Sequence, residues 1–221
     1  MQQPPVFTHT ESFVSNSPAA SPLPLLMTRI LFTLASFSIV LLIVALVLGL
    51  SMGDLYAQPQ ATQDTLHWAT VHRLTGIAAA LAVVFVECVV VTYFIGTSRW
   101  CKEVAETYRL DREFVQASNR LKRRTFPWAL AGMLTVVAMI ALGGAADPAT
   151  GRPNTQAWAD WHRIAAFAGI ALIAWTYVVG WNNILANHAI IQQLVDEVAR
   201  IRRLRGLDEP HTAPPVVHTA S

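Results

Sequence analysis

Four long apolar stretches, at 25–52, 71–96, 127–146 and 162–186, alternate along the chain with polar segments. Each is close to or above the ~20 residues a helix needs to cross a hydrocarbon core of ~30 Å. None shows the period-two alternation of a barrel strand. A bilayer core also offers no water to unpaired backbone N–H and C=O groups, so the pattern predicts four membrane-spanning helices and an all-α fold. A charged content of only 14% against 53% hydrophobic residues agrees with that reading.

The distribution of the basic residues predicts an orientation. Arg99, Lys102, Arg109, Arg112, Arg120, Lys122, Arg123 and Arg124 fall between the second and third stretches, and Arg200, Arg202, Arg203 and Arg205 follow the fourth. The connection at 53–70 has no Lys or Arg, and that at 147–161 has only Arg152. The positive-inside rule places both termini and the central loop in the cytoplasm, as expected for a multi-pass protein of a cell inner membrane. Within 99–124, Val104, Tyr108, Phe114 and Leu121 are interspersed among charges, which predicts helical extensions on the cytoplasmic side. The ends, 1–24 and 206–221, are rich in Pro and polar residues and read as disordered tails around one transmembrane domain at 25–205. The first lacks a basic n-region, so the first helix reads as a retained anchor.

An internal repeat carries the candidate chemistry. His72-Arg73 and His162-Arg163 each open an apolar stretch, preceded by Trp68 in one case and by Trp158 and Trp161 in the other. Aligning the pairs also aligns the segment from Leu48 to Asp54 with that from Ala141 to Asp147, so the four helices read as a bundle of two repeated helix pairs. Three, four and seven positions after His72 stand Thr75, Gly76 and Ala79, and after His162 stand Ala165, Ala166 and Gly169. In a helix these stack on the face of the histidine, leaving a flat slot between two strips of small side chains. Two histidines at equal depth on either side of such a slot match the axial ligands of a porphyrin. The expected cofactor is haem b, with His72 and His162 on the iron, Arg73 and Arg163 at the propionates, and Gly76, Ala79, Ala166 and Gly169 lining the slot. The plainer reading of each pair alone is an interfacial anchor beside a close helix contact. A matched second copy is what anchoring does not require.

These motifs, with Gly49-Leu50-Ser51-Met52 after the first helix, resemble the haem A synthases, the cytochrome oxidase assembly proteins. The resemblance covers 25–186 and implies one four-helix half of a usually duplicated eight-helix protein, with the two histidines of the half on one haem b. That family places a catalytic glutamate three residues before the first histidine, where this chain has Ala69. At the second pair the position is Ala159, with Asp160 one residue nearer. The family's arginine before the Gly-Leu-Ser-Met stretch and the cysteine pair of its outer loops are also missing. The departures favour an electron-transfer protein, or a haem-bearing subunit of a respiratory or photosynthetic complex, over a stand-alone enzyme. Its expected partners are membrane lipid, other subunits of a membrane complex, and a quinone or a cytochrome as redox partner. A non-redox scaffold or pigment-binding subunit is the alternative, and a synthase-like assembly enzyme ranks third.

The remaining polar residues are less diagnostic. Glu87 lies fifteen positions after His72 (87 − 72), or ~22 Å along a helix axis, too far to reach the same iron. It reads as a buried acid hydrogen-bonded to Thr92, Tyr177 or a neighbouring subunit, with a proton-relay or quinone role as the sharper option. His188 reads as an interfacial anchor, His67 as a weak alternative ligand, and His211 and His218 as incidental. Cys88 and Cys101 are expected to stay unpaired. The basic central loop is explained by topology and anionic lipid, with no nucleic-acid partner expected.

Overall fold

The structure is a computed structural model and describes residues 23–52, 55–56 and 62–207. The expected tails therefore lie almost wholly outside the described residues, as do His211 and His218. Four helices follow one another: α1, Leu23–Ser51; α2, Gln63–Tyr108; α3, Glu113–Ala146; and α4, Gln156–Leu204. A short 3-10 turn, Pro148–Thr150, joins the last two, and no strand occurs among the described residues. All four helices are long and apolar enough to cross a membrane. Sequential neighbours pack most closely, α3 against α4 above all, with slimmer contacts of α1 and α2 to α4.

Three helices run well past their apolar stretches. α2 continues to Tyr108 and α3 starts again at Glu113, so the central loop is a four-residue turn between two helical extensions. Arg109 takes a left-handed conformation at φ 57°, and Leu110 N–H reaches back to the Ala105 carbonyl at 2.9 Å, closing the end of α2. Asp111 Oδ1 accepts from Glu113 N–H to start α3. At the opposite end, Thr62 caps α2 through Thr65 N–H, and Asp147 Oδ1 accepts from Ala149 N–H to set the 3-10 turn.

The partition of side chains departs from that of a water-soluble bundle. Phe32, Leu74, Leu81, Phe85, Leu134 and Ile164 all point outward and are more than half exposed, while Ser38, Glu87, Ser118, Thr176, Asn183 and Asn187 are buried between helices. Apolar groups facing out cost nothing in hydrocarbon, whereas polar groups there must find partners inside. Two apolar clusters fill the interior, one around Ala79, Val83, Val136 and Ile173 and the other around Val86, Val90, Phe94 and Ile184.

The buried polar groups pair across helices. Asn187, fully buried on α4, accepts from Ser118 Oγ of α3 at 2.8 Å and donates through Nδ2 to Thr97 Oγ1 at 3.1 Å and the Tyr93 hydroxyl at 3.3 Å, both on α2. Ser98 and Ser118 lie 3.3 Å apart, and Asn183 Nδ2 donates to Thr125 Oγ1 at 2.9 Å. Nearer the middle of the bundle, Ser38 meets the Tyr177 hydroxyl at 2.8 Å. Glu87 bonds with Thr176 Oγ1 at 2.7 Å, not with Thr92 or Tyr177. Its carboxyl sits where Gly132 of α3 has no side chain: a Cβ there would lie 3.1 Å from both Glu87 Cδ and Thr176 Oγ1.

Candidate cofactor site

At the end of the bundle where α2 and α4 begin, the four helices leave a cavity of about 680 Å³. This volume lies within the ~300–1,000 Å³ of small-molecule and cofactor pockets. His72 and His162 both line it, one from α2 and one from α4. Their ring centroids are 6.3 Å apart and the ring planes cross at 75°. Leu42, Val136, Ile140 and Ile170 supply apolar wall, and Arg73 and Arg163 stand at the rim.

Each histidine is seated on the preceding helix. His72 Nδ1 lies 2.9 Å from the Ala45 carbonyl oxygen of α1. A carbonyl can only accept, so Nδ1 carries a proton, and in the neutral ring this leaves the Nε2 lone pair for a metal. His162 sits against α3 with the Met139 backbone beside it, but its buried Nδ1 closes no hydrogen bond. A Cβ built on Gly49 would lie 2.9 Å from His72 Cε1, and one on Gly143 would lie 3.0 Å from His162 Cε1.

The other residues singled out by sequence divide into two groups. Gly76 and Ala166 line the cavity beside the histidines. Ala79 instead lies fully buried in the apolar core with Leu42, Val83, Val136 and Ile173. Gly169 packs α4 against α3, where a Cβ would meet Met139 and come within 3.2 Å of Thr135 Cγ2. Arg73 Nη1 pairs with Asp147 Oδ2 at 2.9 Å, tying the start of α2 to the end of α3. Arg163 pairs with Asp160 at 3.3 Å on its own helix. The Tyr56 hydroxyl donates to the Ala146 carbonyl, which holds that part of the α1–α2 connection over the end of α3.

Ala69 and Ala159, the positions three before each histidine, both line the cavity. These two positions carry methyl groups, and the carboxylates that line the cavity are Asp147 and Asp160, the partners of Arg73 and Arg163. His67 is exposed and stacks edge-on with Trp68 at 5.8 Å. Glu87 and His188 do not line the cavity. Among the described residues no three His, Cys, Asp or Glu side chains gather to hold a bare metal ion. The two histidines suit a metal that brings most of its own donors, as a porphyrin does with four nitrogens. No protein-family profile, curated protein or solved structure matches this chain.

Proposed function

We propose that the protein is a multi-pass membrane haem b protein, built as two repeated helix pairs and serving electron transfer, alone or as a subunit of a larger redox complex. The supporting observation is the separation of the imidazoles. His72 and His162 would hold the iron between them, each through one imidazole nitrogen at the ~2 Å of a metal–nitrogen bond. The rings of His72 and His162 stand at 6.3 Å. That spacing is also within the ~4.5–7 Å of an edge-on ring contact, so it supports the reading together with the cavity of about 680 Å³ that both rings line.

Haem b, when bound, supplies one-electron chemistry at its iron, and two imidazoles, from His72 and His162, would favour electron transfer over oxygen chemistry. The protein's part is to bind, orient and exclude water. The Ala45 carbonyl fixes the His72 tautomer, Gly76 and Ala166 leave room for a flat ring, and Leu42, Val136, Ile140 and Ile170 give the site an aliphatic wall. Arg73 and Arg163 offer guanidinium groups to carboxylates at the rim. The resemblance to one half of a haem A synthase extends to this ligand pair. Without a carboxylate at Ala69 or Ala159, electron transfer is the better-supported activity. The basic ends of α2, α3 and α4 support an inner-membrane orientation with both termini cytoplasmic.

A reduced-minus-oxidised visible spectrum of the protein purified in mild detergent with haem supplied tests the proposal. A six-coordinate haem b spectrum is expected, converted or lost in both His72→Ala and His162→Ala. A colourless wild-type protein, or a spectrum indifferent to either substitution, overturns it.

A further inference from the structure

The two histidines share a feature that neither helix of its own supplies. Gly49 stands four residues after Ala45, and Gly143 four residues after Met139 (49 − 45 = 143 − 139 = 4). In a helix the carbonyl of residue i points toward the N–H of residue i+4, so the Cβ of residue i+4 stands guard beside that carbonyl. Where that residue is glycine, a side chain from a neighbouring helix can lie flat on the backbone and reach the carbonyl oxygen. His72 does so: its Nδ1 is 2.9 Å from Ala45 O, and a Gly49 Cβ would lie 2.9, 3.3 and 3.6 Å from its Cε1, Nδ1 and Nε2. His162 lies on Gly143 in nearly the same pose, with corresponding distances of 3.0, 3.4 and 3.4 Å and the Met139 backbone beside the ring.

We propose that Gly49 and Gly143 are the positioning residues of the site, each letting the imidazole of the following helix rest on its backbone so that the two rings face one another across the cavity. The inference rests on the reading of the cavity as a bis-histidine haem site. An alanine Cβ at Gly49 overlaps the ring and one at Gly143 presses on it, and because the contacting atoms belong to a rigid imidazole the ring must shift as a body. A displaced His72 ring loses its backbone carbonyl, and either displaced ring loses its place opposite its partner. Gly96 is the control: a Cβ there meets nothing within 4 Å, and it lies on α2 away from the cavity.

The test uses full-length Gly49→Ala, Gly143→Ala and Gly96→Ala in detergent, with haem b supplied. The expected result is wild-type low-spin six-coordinate absorption and electron paramagnetic resonance signatures in Gly96→Ala. Those signatures should be lost in Gly49→Ala and Gly143→Ala and regained on adding free imidazole, which fills the vacated axial position. Melting curves of the haem-free proteins give a second readout. Gly49→Ala should lower the melting temperature in the presence of His72 but not in a His72→Ala background, and likewise Gly143→Ala with His162→Ala. Unchanged signatures in both alanine variants, or melting shifts that persist after the histidine is removed, overturn the positioning role. A wild-type protein that binds no haem sinks the haem reading instead, and the melting cycle still decides whether each glycine seats its histidine.

Discussion

Replacing Asn187 with alanine tests whether the end of the bundle opposite the cavity is locked by polar contacts. Asn187 is fully buried and uses both amide protons and one carbonyl lone pair, bonding Tyr93 and Thr97 of α2 and Ser118 of α3. Interhelical hydrogen bonds in membranes average ~0.6 kcal/mol, and a typical intramolecular bond in water contributes ~1 kcal/mol. Three bonds therefore amount to about 2–3 kcal/mol, since truncation strips one from buried Ser118 and one each from half-buried Tyr93 and Thr97. For a chain of this size each kcal/mol shifts the melting temperature by about 2–4 °C, so a fall of about 5–10 °C is expected. The assay is thermal unfolding in detergent followed by circular dichroism. It is paired with Ser118→Ala and the double variant, whose coupling should reach ~0.6–1.7 kcal/mol. An Asn187→Ala melt within about 1 °C of wild type, or strict additivity with Ser118→Ala, would refute the reasoning that these bonds hold the helices together. The visible spectrum of the haem-loaded protein should not change, since Asn187 lies twenty-five positions (187 − 162) along α4 from His162, or ~37 Å.

Gly132→Ala should destabilise by about 1–3 kcal/mol, because its Cβ has no room beside Glu87 and Thr176. A companion Glu87→Ala should recover most of that loss in a double-mutant cycle, and the absence of any recovery counts against the packing described. Gly96→Ala should be neutral or stabilising by up to ~1 kcal/mol in the same melts, since it gains helix propensity in open space. Asp147→Asn breaks the pair with Arg73, whose side chains are 39% and 22% exposed, and should cost at most ~1 kcal/mol in melting experiments. A larger loss would show that the pair closes the α2–α3 junction more tightly than its exposure implies. In a Cys88→Ala/Cys101→Ala background, Asp111→Cys should react with a membrane-impermeant maleimide only from the cytoplasmic side, and Thr150→Cys only from the opposite side; the reverse pattern overturns the orientation.

The four helices were legible because segments suited to hydrocarbon are written as long apolar runs, and 25–52, 71–96, 127–146 and 162–186 fall inside α1 to α4 except for Met52, one residue past the end of α1. The helical extensions were legible from the mixed pattern at 99–124, but not the compactness of the 109–112 turn, which depends on the left-handed Arg109. His72 and His162 were found because they recur. Ala79 and Gly169 were drawn into the slot by counting along their own helices. That procedure fixes a helix face but not which neighbour covers it, and the core and α3 cover these two. Gly49 and Gly143 escaped for a related reason. Glycine and histidine are separated by 23 positions in one half (72 − 49) and 19 in the other (162 − 143), so aligning the segments that end at Asp54 and Asp147 pairs Gly49 with Leu142. The Asn187 cluster left a signal that went unread. Ser118, Thr125 and Gly132 recur every seven residues on α3, and Thr176, Asn183 and Asn187 share one face of α4, so small and polar positions mark the seam where the two helices meet.

The Asn187 cluster ties α2, α3 and α4 together at the end of the bundle opposite the cavity. Side chains of the chain itself satisfy the polar groups at the cluster end, so that half can zip up during insertion with nothing else bound. The cavity end is joined by the Arg73–Asp147 pair, the Tyr56 contact and two histidines packed on glycine backbone. No residue of the Asn187 cluster lines the cavity, so a guest entering it would leave every hydrogen bond of that cluster in place.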